Sequence, residues 1–319
     1  MLDRRTVLRG LGMAGTLTAI GGFAGCASPF TDVRLRLATG GTQGVYFSLG
    51  SALAQVWQQQ LGMRAAPEVL VTAGSVDNLR QLTSRTADVA FSQVDAAADI
   101  LKTLTPGGPT RPCALGRVYD EFVHVVVPRD SPVQRLADLR GLRVSVGAQE
   151  SGVYFVAKRL LESSGLAVAD LQTAYLGIND SVAAMAAGRI DAFFWTGGVP
   201  TGGVDALAAQ MPIRLLDLSG ILKEVRTLYP VYAPGTVPAR SYGIEKSITT
   251  VLVRNFLLVD ASMADDLAHA LIKALFEAQS KLVVINPLAR SIDLRAAIST
   301  QPVPLHPGAL RYFREAKDS

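Results

Sequence analysis

Two short loops of small residues carry the groups best suited to hold a ligand. Residues 39–44 read Thr-Gly-Gly-Thr-Gln-Gly and residues 147–152 read Gly-Ala-Gln-Glu-Ser-Gly. Each loop follows an apolar stretch and leads into the same three residues, Val-Tyr-Phe, which open an amphipathic run. Glycines let a backbone approach a ligand closely, and the free N–H groups at a helix start attract an anion. The two loops therefore predict a site for a small anion.

Hydroxyl, amide and aromatic side chains near these loops extend the predicted site. Tyr46 and Tyr154 stand where each loop becomes a helix, and each ring could face a ligand or pack within its own half of the protein. Ser75 could cap a helix, contact the ligand, or do both. Trp195 could line a cleft or pack in the core. The predicted ligand-binding residues are Thr39, Gly40, Gly41, Thr42, Gln43, Tyr46, Ser75, Asn78, Gln93, Gln149, Ser151, Gly152, Tyr154 and Trp195.

Motifs that other kinds of site require are missing. The first loop has no Lys followed by Ser or Thr and lacks Gly-x-Gly-x-x-Gly spacing, so a nucleotide is not expected. The three histidines form no His-x-x-x-His pair, and no Gly-x-Ser-x-Gly motif offers a hydrolase nucleophile. We therefore expect no catalytic residues, no metal and no cofactor, and predict that the protein is not an enzyme.

The elements that must position these loops occur twice along the chain in the same order. Each copy has a strand, a small-residue loop and a helix and, further along, a second helix and strand. The first copy has strands over residues 33–38 and 87–91 and helices from residues 45 and 75. The second copy has strands over residues 142–146 and 190–194 and helices from residues 153 and 181. Strands that alternate with helices indicate parallel α/β sheets.

We interpret this repeat as two similar α/β lobes joined by a hinge, with the ligand cleft between them. Turn-rich residues 128–132 and proline-rich residues 229–242 mark two chain crossings. Lobe one then comprises residues 33–128 and 235–319, and lobe two comprises residues 129–234. Ligands collect at the carboxyl ends of parallel strands, where both loops lie. A single lobe with repeated βα units is the alternative.

Length, composition and charge suit such a protein and exclude several others. The chain has 319 residues, of which 49% are hydrophobic and 18% charged, so each lobe can bury a core. Two cysteines in a chain of this length are too few for a disulfide-stapled protein or a cysteine-based zinc scaffold. The net charge of +4 includes three arginines in the first nine residues, so nucleic acid is not an expected partner.

Residues 1–26 have the features of an export signal. Arg4 and Arg5 precede an apolar run of 14 residues, Leu11–Ala24, which is too short to cross a bilayer as a helix. The paired arginines indicate the twin-arginine (Tat) route. Small residues before Cys26 resemble a lipobox, so we predict a lipid on Cys26 that anchors the protein to the outer face of the cytoplasmic membrane. Cleavage without lipidation, which leaves a free periplasmic protein, is the alternative.

Several segments spread over the chain are together typical of one protein family. They are Ala38–Thr42 with Tyr46, Gly74–Leu79, Ala87–Ala90 with Gln93 and Asp95, Leu136–Gly141, Asp191–Phe194, Tyr229–Tyr232 and Pro302–Ala309. In these segments the chain resembles the TAXI family, the solute receptors of a class of TRAP transporters. The resemblance implies a type II periplasmic-binding-protein fold and TRAP membrane permease subunits as partners. It also implies a small organic anion as ligand, either a glutamate-like amino acid or a dicarboxylate.

Two positions depart from the pattern of that family. Phe47 stands where the family usually has a second tyrosine, and Glu150 brings a carboxylate into the second loop. Glu150 either points away from the site or pairs with a ligand ammonium group, which would favour an amino acid over a dicarboxylate. The other function we consider is that of a ligand-binding subunit in a membrane sensor with the same fold.

Overall fold

The computed structural model describes residues 28–105, 108 and 110–318. The predicted export signal and the lipidation site at Cys26 lie outside the described residues. Among the residues that are described, no helix is both long enough and apolar enough to cross a membrane.

In the described part of the chain, ten strands form one mixed sheet. They are β1 (Arg36–Ala38), β2 (Glu68–Leu70), β3 (Val89–Gln93), β4 (Pro112–Pro128), β5 (Arg143–Ser145), β6 (Gln172–Ala174), β7 (Ala192–Gly197), β8 (Ile213–Leu215), β9 (Ala233–Val237) and β10 (Ile248–Asp260). The main order of neighbours is β2-β1-β3-β10-β4-β7-β5-β6, with β8 beside β4 and β9 beside β10.

Eleven α-helices of the described residues connect or follow these strands. They are α1 (Val45–Leu61), α2 (Ser75–Thr83), α3 (Val94–Thr103), α4 (Gly152–Ser163), α5 (Ile178–Ala186), α6 (Gly202–Gln210), α7 (Leu222–Leu228), α8 (Asp265–Glu277), α9 (Gln279–Ile285), α10 (Leu294–Ala297) and α11 (Pro307–Asp318).

Two long strands join two parallel groups of short strands. β1, β2 and β3 are parallel to one another, as are β5, β6 and β7. β10 lies antiparallel between β3 and β4. β4 pairs with β10 as far as Phe122 and then with β7 from Phe122 to Val126. The chain thus passes from the first group, in lobe one, to the second group, in lobe two, within a single strand.

The expected α/β repeat is present, with differences at some boundaries. α1 and α2 begin at the predicted residues, and α4 begins one residue early. α5 begins at Ile178, three residues before the predicted start, because Gly177 supplies an extended N-cap. The division into lobes at residues 128 and 235 stays a prediction; in the structure, residues 123–128 of β4 already pair with β7 and β8.

Apolar clusters stabilise the two ends of the sheet, and a third cluster between them contains residues of both lobes. Trp57 of α1 is fully buried in the cluster of lobe one, and its indole N–H donates to the carbonyl of Leu271 in α8 at 3.0 Å. Phe193 and Val204 lie in the cluster of lobe two. Burying each such side chain contributes about 1.5–3 kcal/mol.

A buried histidine lies just past the point where β4 changes partner. Nδ1 of His124 donates to the carbonyl of Phe122 at 2.8 Å, and Nε2 accepts from the hydroxyl of Tyr242 at 3.0 Å. The Tyr242 hydroxyl in turn accepts from the backbone N–H of Thr201 at 2.7 Å. These bonds suit a neutral imidazole, and burial lowers the pKa of His124 to about 4.

Acidification should destabilise the protein through this residue. The His124 side chain titrates near pH 6.5 when unfolded and near pH 4 when folded, so between these values the unfolded state binds the extra proton. The free energy of unfolding should therefore fall by about 1 kcal/mol between pH 7.5 and pH 5.5 from His124 alone. Urea denaturation of wild type and His124→Asn at both pH values isolates this difference. An equal loss in both proteins would contradict it.

Candidate ligand-binding site

A cavity of about 150 Å³ lies where residues of both lobes meet. It is at the carboxyl ends of β1, β3, β5 and β7, beside both small-residue loops. Its volume is below the range of about 300–1,000 Å³ for drug-sized ligands, so it suits a small metabolite. The predicted site residues that line it are Gly40, Gly41, Tyr46, Ser75, Gln93, Ser151, Gly152 and Trp195.

Helix starts form one part of the cavity wall. Among the described residues, the first residues of α1, α2, α4 and α5 line the cavity. No side chain caps α1, α2 or α5, whose N-cap residues are Gly44, Gly74 and Gly177. Uncapped N–H groups and the helix dipoles favour negative charge at this wall. No Lys or Arg of the described residues lines the cavity.

Buried polar side chains from three strands form another part of the wall. Nε2 of Gln93 donates to Oε2 of Glu121 at 2.6 Å and to Oγ1 of Thr196 at 2.8 Å. The Tyr119 hydroxyl donates to Oε1 of Glu121 at 2.8 Å. Burial raises the pKa of Glu121, although the hydrogen bonds from Gln93, Tyr119 and Thr196 oppose this rise. The structure therefore has a buried carboxyl group in the cavity wall.

Tyr46 reaches the same cluster from α1. Its hydroxyl lies 3.1 Å from Oγ of Ser75 and donates to Oδ1 of Asn255 in β10. Ser75 Oγ also accepts from the backbone N–H of Gln93 at 3.1 Å. The Tyr46 ring stacks on Phe91 with centroids 5.1 Å apart, so this residue both packs in lobe one and presents its hydroxyl at the site.

The start of α4 contacts lobe one across the cavity. A Cβ added to Gly152 would lie 2.1 Å from Oε1 of Gln93 and 2.8 Å from Oγ of Ser75. Only a glycine allows this approach without displacing the Gln93 amide. Ser151 caps α4 by accepting from the backbone N–H of Tyr154 at 3.1 Å.

Glu150 joins the lobes at the rim of the cavity. Its carbonyl accepts from the backbone N–H of Asp77 at 3.1 Å, and its half-exposed carboxylate pairs with Arg80 at 3.1 Å. Asp77 and Arg80 belong to α2 of lobe one. Of the two roles expected for Glu150, the structure supports the one in which it points away from the ligand.

Three predicted residues, Thr39, Ser75 and Asn78, make hydrogen bonds to backbone groups of the protein, and only Ser75 also lines the cavity. The Thr39 hydroxyl donates to the carbonyl of Leu70, and the Asn78 amide donates to the carbonyls of Thr39 and Phe91. Neither Thr39 nor Asn78 lines the cavity. Ser75 lines it but does not cap α2, because Gly74 takes the N-cap with a φ of 122° that favours glycine.

The other predicted residues that do not line the cavity lie further out. Thr42 and Gln43 line a neighbouring recess of about 190 Å³, and Gln149 is exposed. Tyr154 packs edge-to-face on Tyr175, with ring centroids 5.5 Å apart. Trp195, by contrast, does line the cavity, and its Nε1 donates to Oγ1 of Thr201 at 3.1 Å.

Sequence reasoning missed Glu121 and Thr196, the two polar partners of Gln93 in the cavity wall. The signal for Glu121 was its place among the largely apolar residues 118–127, which also contain Asp120, because a charged side chain in such a stretch needs a reason to be buried. Thr196 directly follows Trp195 and offered no separate signal.

The comparisons with known proteins identify the class. The NMT1-like family matches residues 37–316, so the chain belongs to this family. The structure of a periplasmic transporter is similar over 89% of this chain and 93% of the other chain, with 14% identity and a TM-score of 0.53. The structure of a putative L-cystine ABC transporter from Listeria monocytogenes is similar over 83% of this chain and 98% of the other chain, with 14% identity and a TM-score of 0.51. The expected two-lobed periplasmic-binding-protein fold is confirmed, and TAXI membership stays a prediction.

Replacing Gly152 by alanine should open the cleft. The added Cβ would clash with the Gln93 amide, and such overpacking costs about 1–3 kcal/mol. This cost applies only while the two lobes are in contact, so it favours a form in which they lie apart. Small-angle scattering should give a larger radius of gyration for Gly152→Ala than for wild type, with unchanged circular dichroism. Gly202→Ala is the matched control, because Gly202 also begins a helix of lobe two but has open space around its Cβ position. Identical scattering from the wild type and both variants would refute the close contact.

Proposed function

We propose that this protein is the extracytoplasmic solute-binding receptor of a TRAP-type transporter. It captures a small organic anion, a glutamate-like amino acid or a dicarboxylate, and delivers it to the membrane permease. The observation that carries the proposal is the cavity between the lobes, where uncapped helix starts favour an anion. Membership of the NMT1-like family and the fold support it.

Capture depends on lobe closure, without a covalent step. A ligand in the cavity can contact the starts of α1 and α2 in lobe one and of α4 and α5 in lobe two at the same time. Only the closed form brings these helix starts together, so a ligand that bridges them shifts the population toward closure. A ligand at 100 times its dissociation constant stabilises the folded protein by about 2.7 kcal/mol.

The proposed location follows from the N-terminal residues. Export by the Tat route and a lipid on Cys26 would hold the receptor at the outer face of the cytoplasmic membrane, beside its permease. In the absence of the lipid, the receptor is free in the periplasm and reaches the permease by diffusion.

A second candidate partner is an ABC transporter. The structure named as a putative L-cystine ABC transporter shares this fold at a TM-score of 0.51. A receptor of this shape serves either kind of permease, because capture between two lobes does not depend on how the permease is energised.

A thermal-shift screen against amino acids and dicarboxylates, followed by calorimetry, tests ligand capture. Gln93→Ala should weaken the affinity for the best ligand about tenfold or more, because it leaves Glu121 and Thr196 without their amide donor. Gln59→Ala is the control, since Gln59 is exposed on α1 away from the cavity. Equal affinity in the two variants would remove Gln93 from the site.

Reconstituted transport tests the kind of permease. With TRAP permease subunits in vesicles, uptake of the ligand should require this protein and should continue when ATP is withdrawn. Uptake that occurs only with an ATP-hydrolysing permease would assign the receptor to an ABC transporter instead.

A further inference from the structure

We infer that Glu121, held in place by Gln93, selects ligands that carry an ammonium group beside their anionic group. The receptor then binds an amino acid more tightly than the acid that has the same carbon skeleton but lacks the amine. This inference rests on the proposed function, because it concerns the ligand of the same cavity.

The first observation is the charge of the cavity wall. Glu121 is 5% exposed and lines the cavity, and its oxygens accept hydrogen bonds from the neutral side chains of Gln93 and Tyr119. The buried carboxylate of Asp95 acts on it with the same sign of charge. A buried carboxylate without a cation is costly, and an ammonium group in the cavity would offset that cost.

The second observation is that Gln93 fixes the place of Glu121 without adding a charge. Nε2 of Gln93 donates to Oε2 of Glu121 at 2.6 Å, and Oε1 is buried against Gly152, where an added Cβ would be 2.1 Å away. The opposite amide orientation would turn Oε1 toward Glu121, which accepts from Nε2. A neutral amide holds the carboxyl group in the cavity wall, and an ammonium group is the partner of opposite charge that this carboxyl group lacks.

Glu121 complements the helix starts. The uncapped N–H groups of α1, α2 and α5 favour the carboxylate of a ligand, whereas Glu121 favours its ammonium group. A dicarboxylate of the same length would bring a second negative charge toward Glu121, and like charges that share a buried site disfavour each other. Glu150 does not provide this selectivity, because it pairs with Arg80 at the rim.

The experiment compares acids that differ only in the amine. Calorimetry on the purified protein would use L-glutamate with glutarate, L-aspartate with succinate and L-alanine with propionate, together with the remaining amino acids. The wild type should bind at least one amine-bearing member about tenfold or more tightly than its amine-free partner. This comparison needs no variant, so it does not depend on how a substitution affects folding.

Glu121→Gln then assigns the effect to the carboxylate, because the side chain keeps its shape and loses its charge. Affinity for the preferred amino acid should fall about tenfold or more, while affinity for the amine-free partner should not fall. Asp120→Asn is the matched control: Asp120 is the preceding residue of β4, pairs with Arg117 and does not line the cavity. It should leave both affinities unchanged.

The outcomes separate this inference from the proposed function. Tighter or equal binding of the amine-free acids would overturn the selectivity and leave solute capture intact. Unchanged affinity of Glu121→Gln for the amino acid would overturn the role of Glu121. Binding of no member of either series would overturn the capture of a small organic anion itself, and the selectivity with it.

Discussion

The site depends on the close approach of Gly152 to the amide of Gln93. This contact brings the start of α4 in lobe two against the end of β3 in lobe one, with Ser75 Oγ at the same point. A side chain at residue 152 would hold the lobes apart and separate the helix starts that surround the cavity. The missing Cβ of one residue therefore determines whether the groups of two lobes can act on one ligand.

The strand that joins the lobes also carries the buried carboxyl group of the site. Tyr119 and Glu121 lie two residues apart on β4 and so share one face of the strand, and the strand changes its partner from β10 to β7 at Phe122. A ligand group that contacts Glu121 thus acts at the junction of the two lobes. Glu121 accepts from Gln93 of β3, whose amide also donates to Thr196 of β7, so groups of both lobes meet at this carboxyl group.

Much of the frame was predictable from the sequence, because the repeated Gly-Val-Tyr-Phe segments fix the starts of α1 and α4. Eight of the fourteen predicted ligand-binding residues line the cavity, because they lie near the carboxyl ends of strands or in the loops and helix starts that follow them. Glu121 was not predictable in this way: β4 is buried along nearly its whole length, so its pattern lacks the alternation that tells one face from the other. Thr39 and Asn78 bond to backbone groups that only the folded packing brings near them.

The side chains of Glu150 and Glu121 have different roles: Glu150 links the two lobes at the rim, and Glu121 lies in the wall of the cavity. Glu150 has a φ of 61°, which is uncommon for a residue with a side chain, and in this conformation its carbonyl accepts from Asp77 and its carboxylate reaches Arg80. Exposed ion pairs contribute about 1 kcal/mol or less and are screened by salt. For the proposed lobe closure, the rim contacts are therefore too weak to be decisive. In that proposal, the free energy that decides between the open and closed forms comes from the cavity, where Glu121 is buried and a ligand can offset its desolvation.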